Sequence, residues 1–415
     1  MTANAAGRRP FCAEEIRRRQ VQLAERLDEH GLAGVVASSY PASYYLSGAP
    51  IHQFGRPAAT VLTATGETVL ITSVIEQRHV EAQATVDRVR YYFDLGVEAT
   101  SDHPVSPAES LTRLLSQEIT ALGLGTDRVG FEETSLPVEM LGRWQAASPT
   151  VAFQPVSRLL AEQRSVLSPA ELALVRAADG VADSGQAALL EALAAGATAR
   201  EADMLARTRM LDALGADLPA TPFALRIGTG LGDATRGAGH SDWTLWSRDE
   251  RPRPGQIAVT GIDVLLWGYA GNVERTVAVE PVTERVLRDF RTMVEACRAG
   301  TAAVRVGSTL GDIDRACKAV LTAAGYETRS GSGLGRGIIS WEGNARDPLM
   351  DVRLYSDLPV KAGMALSVEP DLLTPDGTYR HCNTVIATES GPIVDSRLDW
   401  DLIVIDPYSS RRPGP

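Results

Sequence analysis

Apolar residues recur at helical spacing between charged ones from Glu14 to His30, which predicts an amphipathic helix at the start of the ordered chain. The run Leu32 to Ser38 that follows reads as a buried strand. Further strand-like stretches at Ala59 to Thr63 and Glu67 to Thr72, with a Thr-Gly turn between them, alternate with helical ones up to about Val156. This is the pattern of an α/β domain. Ser168-Pro169-Ala170-Glu171 carries a helix-start signal: a Ser N-cap, Pro at the first helical position and Glu placed to close a capping box. A long helix should follow, with apolar positions continuing through Leu190, Leu193 and Ala195.

Beyond it, Gln256 to Tyr269 and Val273 to Val279 read as two strands of a hairpin with Ala270-Gly271 in the turn region. Helical stretches are expected at Val282 to Ala302 and Leu310 to Ala324, and strand-like runs at Gly363 to Glu369, Tyr379 to Thr388 and Leu402 to Ile405. Several strands with amphipathic helices make this second half α+β. Residues Gln154 to Leu167 mix polar and apolar positions as a connector does, so the boundary is expected near residue 160, giving domains 1–160 and 161–415. The length of 415 residues suits two domains, each large enough for its own core.

Composition narrows the function classes. With 44% hydrophobic and 22% charged residues the chain is of ordinary globular type. A net charge of −11 without a Lys/Arg cluster argues against nucleic-acid binding, which draws its affinity from clustered cations. No segment approaches the roughly 18 uninterrupted apolar residues of a membrane span, and the first ten residues lack the apolar core of a signal peptide; a cytoplasmic, non-membrane protein is expected. Cys12, Cys297, Cys317 and Cys382 are far apart and show no CxxC spacing, which fits a reducing compartment and no zinc ribbon.

Several stretches of the second half together resemble the creatinase and proline-peptidase superfamily: Ser168-Pro169-Ala170-Glu171, Pro254-Gly255-Gln256, Gly268-Tyr269 with Glu274-Arg275-Thr276, and Lys361 through Glu369-Pro370. The resemblance implies a C-terminal pita-bread domain preceded by a smaller α/β domain of the creatinase N-terminal type. Peptidases of that superfamily hold two metal ions with two Asp, one His and two Glu. Those positions fall here on Gly261, Asn272, Arg336, Glu369 and, at or beside the last, Cys382. Two neutral residues and a fixed guanidinium in place of anionic and imidazole ligands oppose cation capture, so no metal and no other cofactor are expected.

A second set of matches is to creatinase, the metal-free member that hydrolyses creatine. Tyr44-Tyr45-Leu46-Ser47-Gly48 followed by His52-Gln53-Phe54-Gly55-Arg56 is similar to the segment whose Phe and Arg reach substrate, and Gly237-Ala238-Gly239-His240 is similar to the segment presenting the catalytic His. The resemblance puts Glu274 and Glu369 on guanidinium-binding glutamates and Arg346 on a carboxylate-binding Arg. It further implies a homodimer with the site at the subunit interface. The charge logic stands beside it: carboxylates suit a guanidinium or amidinium, and Arg forks suit a carboxylate. His240 would move the proton between water and the departing nitrogen.

The expected activity is therefore metal-independent hydrolysis of a non-peptide C–N bond (guanidino, ureido, amidine or cyclic amidine) in a small carboxylate-bearing substrate. His240, Glu274 and Glu369 are the expected catalytic residues; Phe54, Arg56, Arg336, Arg346, His381, Cys382 and Asp263 are expected to bind substrate. Arg336 and Ala270 depart from creatinase's His and Tyr, pointing to a changed pocket. Cys382 reads either as a nucleophile or as a packed thiol on a strand, and Asp263 either as an extra acid or as a solvated or ion-paired residue. A metal-free lyase of the same superfamily and an inactive, ligand-binding relative are the alternatives.

Overall fold

The computed structural model describes residues 10–51, 56–93, 106–215, 225–233, 249–328, 331–337, 348–374 and 377–408. Two compact units divide the chain, Met1–Arg164 and Ser165–Pro415. The first helix, Ala13–Glu29, buries Ile16, Leu23 and Leu27 along one face, as its spacing predicts.

The first unit is built on one six-stranded sheet. Its strands are Gly34–Ala37 (β1), Ala59–Thr63 (β2), Thr68–Ser73 (β3), Arg88–Tyr92 (β4), Arg128–Phe131 (β5) and Ala152–Pro155 (β6), in the order β4-β3-β2-β1-β5-β6. The β1–β2 and β2–β3 pairs are antiparallel, while β1–β5, β3–β4 and β5–β6 are parallel. The central strands are buried at every position, so they read as continuous apolar or β-branched runs rather than alternating ones. Helix Pro107–Ala121 covers the sheet with Leu111, Leu115 and Ile119.

In the second unit the helix Pro169–Ala194 begins as its sequence signals: Ser168 Oγ accepts from the Glu171 amide at 3.2 Å, and the Glu171 carboxylate accepts from the Ser168 amide at 2.9 Å. The other oxygen of Glu171 accepts from the Tyr269 hydroxyl at 2.8 Å, which ties this helix to the sheet below. That sheet joins Leu225–Asp233 (β7), Ile257–Leu266 (β8), Tyr269–Val279 (β9) and Ile403–Ile405 (β17) in the order β17-β9-β8-β7. Between β9 and β17 the chain adds Gly333–Leu334 (β10), Asp351–Val352 (β11), Ala365–Val368 (β12), Asp371–Thr374 (β13), Gly377–Arg380 (β14), Asn383–Thr388 (β15) and Gly391–Val394 (β16). Here β12-β15-β16, β13-β14 and β10-β11 form smaller antiparallel sheets. The helices Glu284–Ala303 and Leu310–Ala323 pack against them through Cys297, Ile313 and Cys317.

The hairpin turn sits earlier than the sequence suggested. Leu266 pairs with Tyr269, and the two residues between them, Trp267 and Gly268, both have positive φ (52° and 80°), the signature of a tight primed turn. Ala270 and Gly271 are inside β9. Gly271 is required there for a different reason: a Cβ would lie 2.4 Å from backbone atoms of Ala178 and Asp179, because β9 presses directly onto the long helix. The run from Tyr379 to Thr388 is likewise two strands rather than one, broken at His381 and Cys382. Among the described residues no helix is long and apolar enough to cross a membrane.

That close approach yields a test by thermal and denaturant unfolding. Gly271→Ala must push a helix and a strand apart and is expected to lower stability by roughly 2–4 kcal/mol, in the range of overpacked core substitutions and above. Gly142→Ala is the control. It lies inside helix Val138–Ala147 with nothing within 4 Å of the added Cβ, and should raise stability by about 0.5–1 kcal/mol.

Candidate active site

The strand pair β8–β9 supplies the floor of the site. Asp263 lies opposite Asn272, and Gly261 opposite Glu274. Strand alternation puts Asn272 and Glu274 on one face. The Gly271 contact with the long helix brings the Asn272 amide onto Asp179 Oδ1 at 3.1 Å, and that oxygen also accepts from Thr384 Oγ1 at 2.9 Å. The Asn272 side chain donates to Asp263 Oδ1 at 2.6 Å.

The junction of β14 and β15 forms the facing wall. Arg275, on the opposite face of β9, donates to the Cys382 carbonyl at 2.9 Å and to Asn383 Oδ1 at 2.9 Å, and the Cys382 amide donates to the Glu274 carbonyl at 3.1 Å. Thr276 Oγ1 both accepts from the Arg380 amide and donates to its carbonyl. The clamp aims Arg380 and Cys382 at the carboxylates. Two further residues arrive from sheet edges: the Glu369 amide donates to Ser332 O at 2.9 Å, and the Arg336 amide to Ala365 O at 2.8 Å.

These side chains form one buried cluster. Arg380 Nε is ion-paired with Glu274, and Arg380 Nη2 lies 3.5 Å from Glu369. Arg336 Nη2 donates to Asn272 Oδ1 at 3.0 Å and lies 3.5 Å from Cys382 Sγ and 4.0 Å from Glu369 Oε2. Cys382 Sγ is 2.8 Å from Asn272 Oδ1 and 3.3 Å from Glu369 Oε2. Glu274, Glu369, Arg336 and Cys382 are all buried, whereas Asp263 is only partly so.

Four carboxyls, those of Asp179, Asp263, Glu274 and Glu369, thus share two guanidiniums, and the shortfall shows in their protonation. Burial pushes Glu274 up to about 7, with Glu369 and Asp263 adding to the rise and Arg380 opposing it. Burial pushes Asp179 up to about 8 against the pull of Arg336. Asp263 is raised for the same first reason. The Cys382 thiol is held protonated by burial and by the two glutamates, which outweigh the two arginines.

The structure brings some of the residues singled out in the sequence together and not others. Glu274, Glu369, Arg336, Cys382 and Asp263 converge. His381 is a correction: it points to the other side of the strand, where its ring stacks on Trp400 with centroids 4.7 Å apart. Its ring nitrogens are buried with no partner, and burial, with Arg275 and Arg298 nearby, keeps it neutral. Phe54, His240 and Arg346 lie outside the described residues. Arg56 belongs to the first unit, where its charge opposes the rise that burial imposes on Glu76. Arg380 and Asp179 were not singled out by sequence. Alternation would have found Arg380, two residues before Cys382, and Asp179 was visible as an acid on the apolar stripe of an Ala-rich helix.

The chemistry of the donor set tests whether a metal fits. Glu274, Glu369 and Cys382 offer donor atoms within 4.8 Å of one another. Both glutamates, however, already face Arg380, and Arg336 contacts Glu369 and the thiol, so any ion would enter beside two fixed positive charges. Gly261 and Asn272 offer no anionic ligand. This set does not fit a pair of oxygen-seeking divalent ions.

Comparison with known proteins places this geometry in a family. The model of metallopeptidase family M24 matches residues 173–389, and that of the creatinase/prolidase N-terminal domain matches residues 19–166. Creatinase of a Bacillus species is 23% identical over 92% of this chain and 90% of its own length. A probable dipeptidase PepE of Mycobacterium tuberculosis is 27% identical over 96% and 99%. The crystal structure of the prolidase from Pyrococcus horikoshii superposes with a TM-score of 0.73 at 18% identity, covering 93% of this chain and all of that one. The second unit is accordingly a pita-bread domain and the first a creatinase N-terminal-type domain.

The raised carboxyls make stability depend on pH. In the unfolded chain Asp179 ionises in the ordinary carboxylate range, whereas in the folded protein it holds its proton to about 8. Its contribution is fully present below the ordinary range and is lost as pH rises through about 8; Glu274 acts in the same sense through about 7. Urea midpoints should therefore fall between pH 5.5 and 8.5, and Asp179→Asn, which cannot ionise, should flatten that decline. An unchanged slope in the variant would contradict the assignment.

Proposed function

The chain belongs to metallopeptidase family M24, and from that premise we propose that it is a metal-independent hydrolase of a non-peptide C–N bond in a small, carboxylate-bearing substrate. The bond belongs to a guanidino, ureido, amidine or cyclic amidine group. One observation carries the reading: Arg336 and Arg380 sit among Glu274, Glu369 and Cys382, where family metallopeptidases need anionic and imidazole ligands. The positive charge that a metal would bring is supplied by side chains.

The remaining excess of carboxyls suits a cationic group. An amidinium or guanidinium entering beside Glu274 and Glu369 would replace the proton that Glu274 otherwise holds, so its charge is offset without a further protein cation. Arg346 and Arg56 are proposed to hold the substrate carboxylate through bidentate contacts, and His240 to take a proton from the attacking water and give one to the departing nitrogen. The dipeptidase relatives carry the second reading, a peptidase acting through metal ions, against which the donor set argues.

Turnover of a panel of carboxylate-bearing guanidines, ureas and cyclic amidines, alongside Xaa-Pro dipeptides, separates the two. The proposed hydrolase should act on a member of the first group with a rate unaffected by EDTA, and His240→Ala should lower kcat by about 100-fold or more, the usual contribution of a positioned acid–base group. Dipeptide cleavage abolished by EDTA and restored by Mn would favour the peptidase. Incorporation of labelled water oxygen into product distinguishes hydrolysis from elimination by a lyase.

A further inference from the structure

Cys382 is the thiol of the cluster, and the hydrolysis proposed above gives it no part. Its sulfur and one carboxylate oxygen from each of Glu274 and Glu369 lie within 4.8 Å of one another, so two anions and a potential nucleophile converge on one small volume. The thiol is 3.3 Å from Glu369 Oε2, a proton acceptor, and 3.5 Å from Arg336 Nη2, a cation able to stabilise a thiolate. An independent feature marks the place as built for a ligand. Arg336, only 4% exposed, keeps its Nε–H buried with no acceptor, and Asp179 Oδ2, in a residue 3% exposed, is buried with no donor. Leaving such groups unpaired costs about 1–3 kcal/mol each, more when charged. Asp263, which accepts from the Asn272 side chain, is partly exposed.

We propose that Cys382 is the nucleophile of the reaction, its sulfur attacking the central carbon of an amidinium or guanidinium held against Glu274 and Glu369, beside Arg380. The proposal rests on the metal-free hydrolase reading above. The thiol proton passes to Glu369 as the C–S bond forms. The C–N bond then breaks, its electron pair leaving on the departing nitrogen, which takes a proton from His240. Water, giving a proton to His240, attacks the same carbon of the resulting S-linked intermediate. The C–S bond breaks, and the thiolate recovers its proton from Glu369. One water is consumed, nothing is oxidised or reduced, and the cysteine is regenerated.

The substrate itself switches the nucleophile on. Without it, burial and the charges of Glu369 and Glu274 keep the thiol protonated. A second cation against those carboxylates offsets their repulsion and leaves Arg336 and Arg380 to favour the thiolate. The thiol therefore stays inert toward neutral reagents and reacts with positively charged ones, which distinguishes it from a packed, structural cysteine.

The test pairs two electrophiles of the same shape, 2-chloroacetamidine, which is cationic, and 2-chloroacetamide, which is neutral, with peptide mapping by mass spectrometry of the wild-type protein. Cys382 should be alkylated at least ~100-fold faster by the cation, the effect of shifting a thiol by about two pKa units. Cys12, which is exposed, serves as the internal reference and should show no such preference. Glu369→Gln should remove the selectivity, and Cys382→Ser and Cys382→Ala should lower kcat on the substrate found above by at least ~100-fold while KM changes little. Equal labelling by both reagents, no labelling at Cys382, or full turnover by Cys382→Ala overturns the proposal and leaves the metal-free reading standing. EDTA-sensitive turnover overturns that reading itself, whatever the labelling shows.

Discussion

Burying a carboxylate in a protein interior is tolerated only when a cation or a proton accompanies it, and this constraint organises the second unit. Asp179, Asp263, Glu274 and Glu369 come from a helix, two hairpin strands and a sheet edge, and they meet around Arg336 and Arg380. The two arginines are not interchangeable. Arg380 neutralises the pair Glu274–Glu369, whereas Arg336 reaches Asn272, the thiol and the far side of Glu369. What they leave uncovered is taken up by protons, which is why Glu274 and Asp179 remain partly or wholly protonated near neutrality.

The scaffold holds this arrangement through backbone contacts rather than through the charges themselves. Arg275 grips the β14–β15 junction from behind, Thr276 holds Arg380 at both its amide and its carbonyl, and Gly271 lets the long helix sit on β9 closely enough for Asp179 to receive the Asn272 amide. Gly333, with φ of 151°, has its missing Cβ 2.0 Å from the Ser367 carbonyl; this approach of β10 to β12 is what delivers Arg336 three residues later. Preorganisation of this kind is what a site working by electrostatics needs, since charged side chains free to relax would collapse onto one another or onto water.

Element types were largely legible in the sequence because they rest on local rules. The capping box at Ser168 and the apolar stripe of Ala13–Glu29 are local signals, and both appear as expected. The hairpin turn was misplaced because a glycine draws attention as a turn residue. Gly271 serves a helix contact that no local pattern reveals, while Trp267, a poor turn former by type, accepts positive φ beside Gly268. Among site residues, those carried by the family's motifs converge. His381 failed for a simple geometric reason: it neighbours Cys382 on an extended segment, and neighbours on a strand face opposite ways. Arg380 was given no role of its own although the same alternation points to it, because an arginine in a motif reads as surface charge until its partners are known.

The residues that stand at the five expected ligand positions are linked electrostatically to one another. Returning Arg336 to an imidazole would remove one of two cations from among four carboxyls, and without an ion to replace it more protons would have to be bound. Returning Cys382 to a glutamate while Arg336 stays would add a fifth acid at the crowded end of the cluster. Returning Asn272 to aspartate would set that acid against both Asp263 and Asp179, with which its side chain and amide now share hydrogen bonds. Each single reversal worsens the charge balance, and only a joint one, with ions present, restores it. A side-chain cation cannot be lost to a chelator or exchanged with another metal, so a site working as proposed would trade a metal's power to ionise water for a charge that is always in place, and would have to find its nucleophile or its base among its own residues.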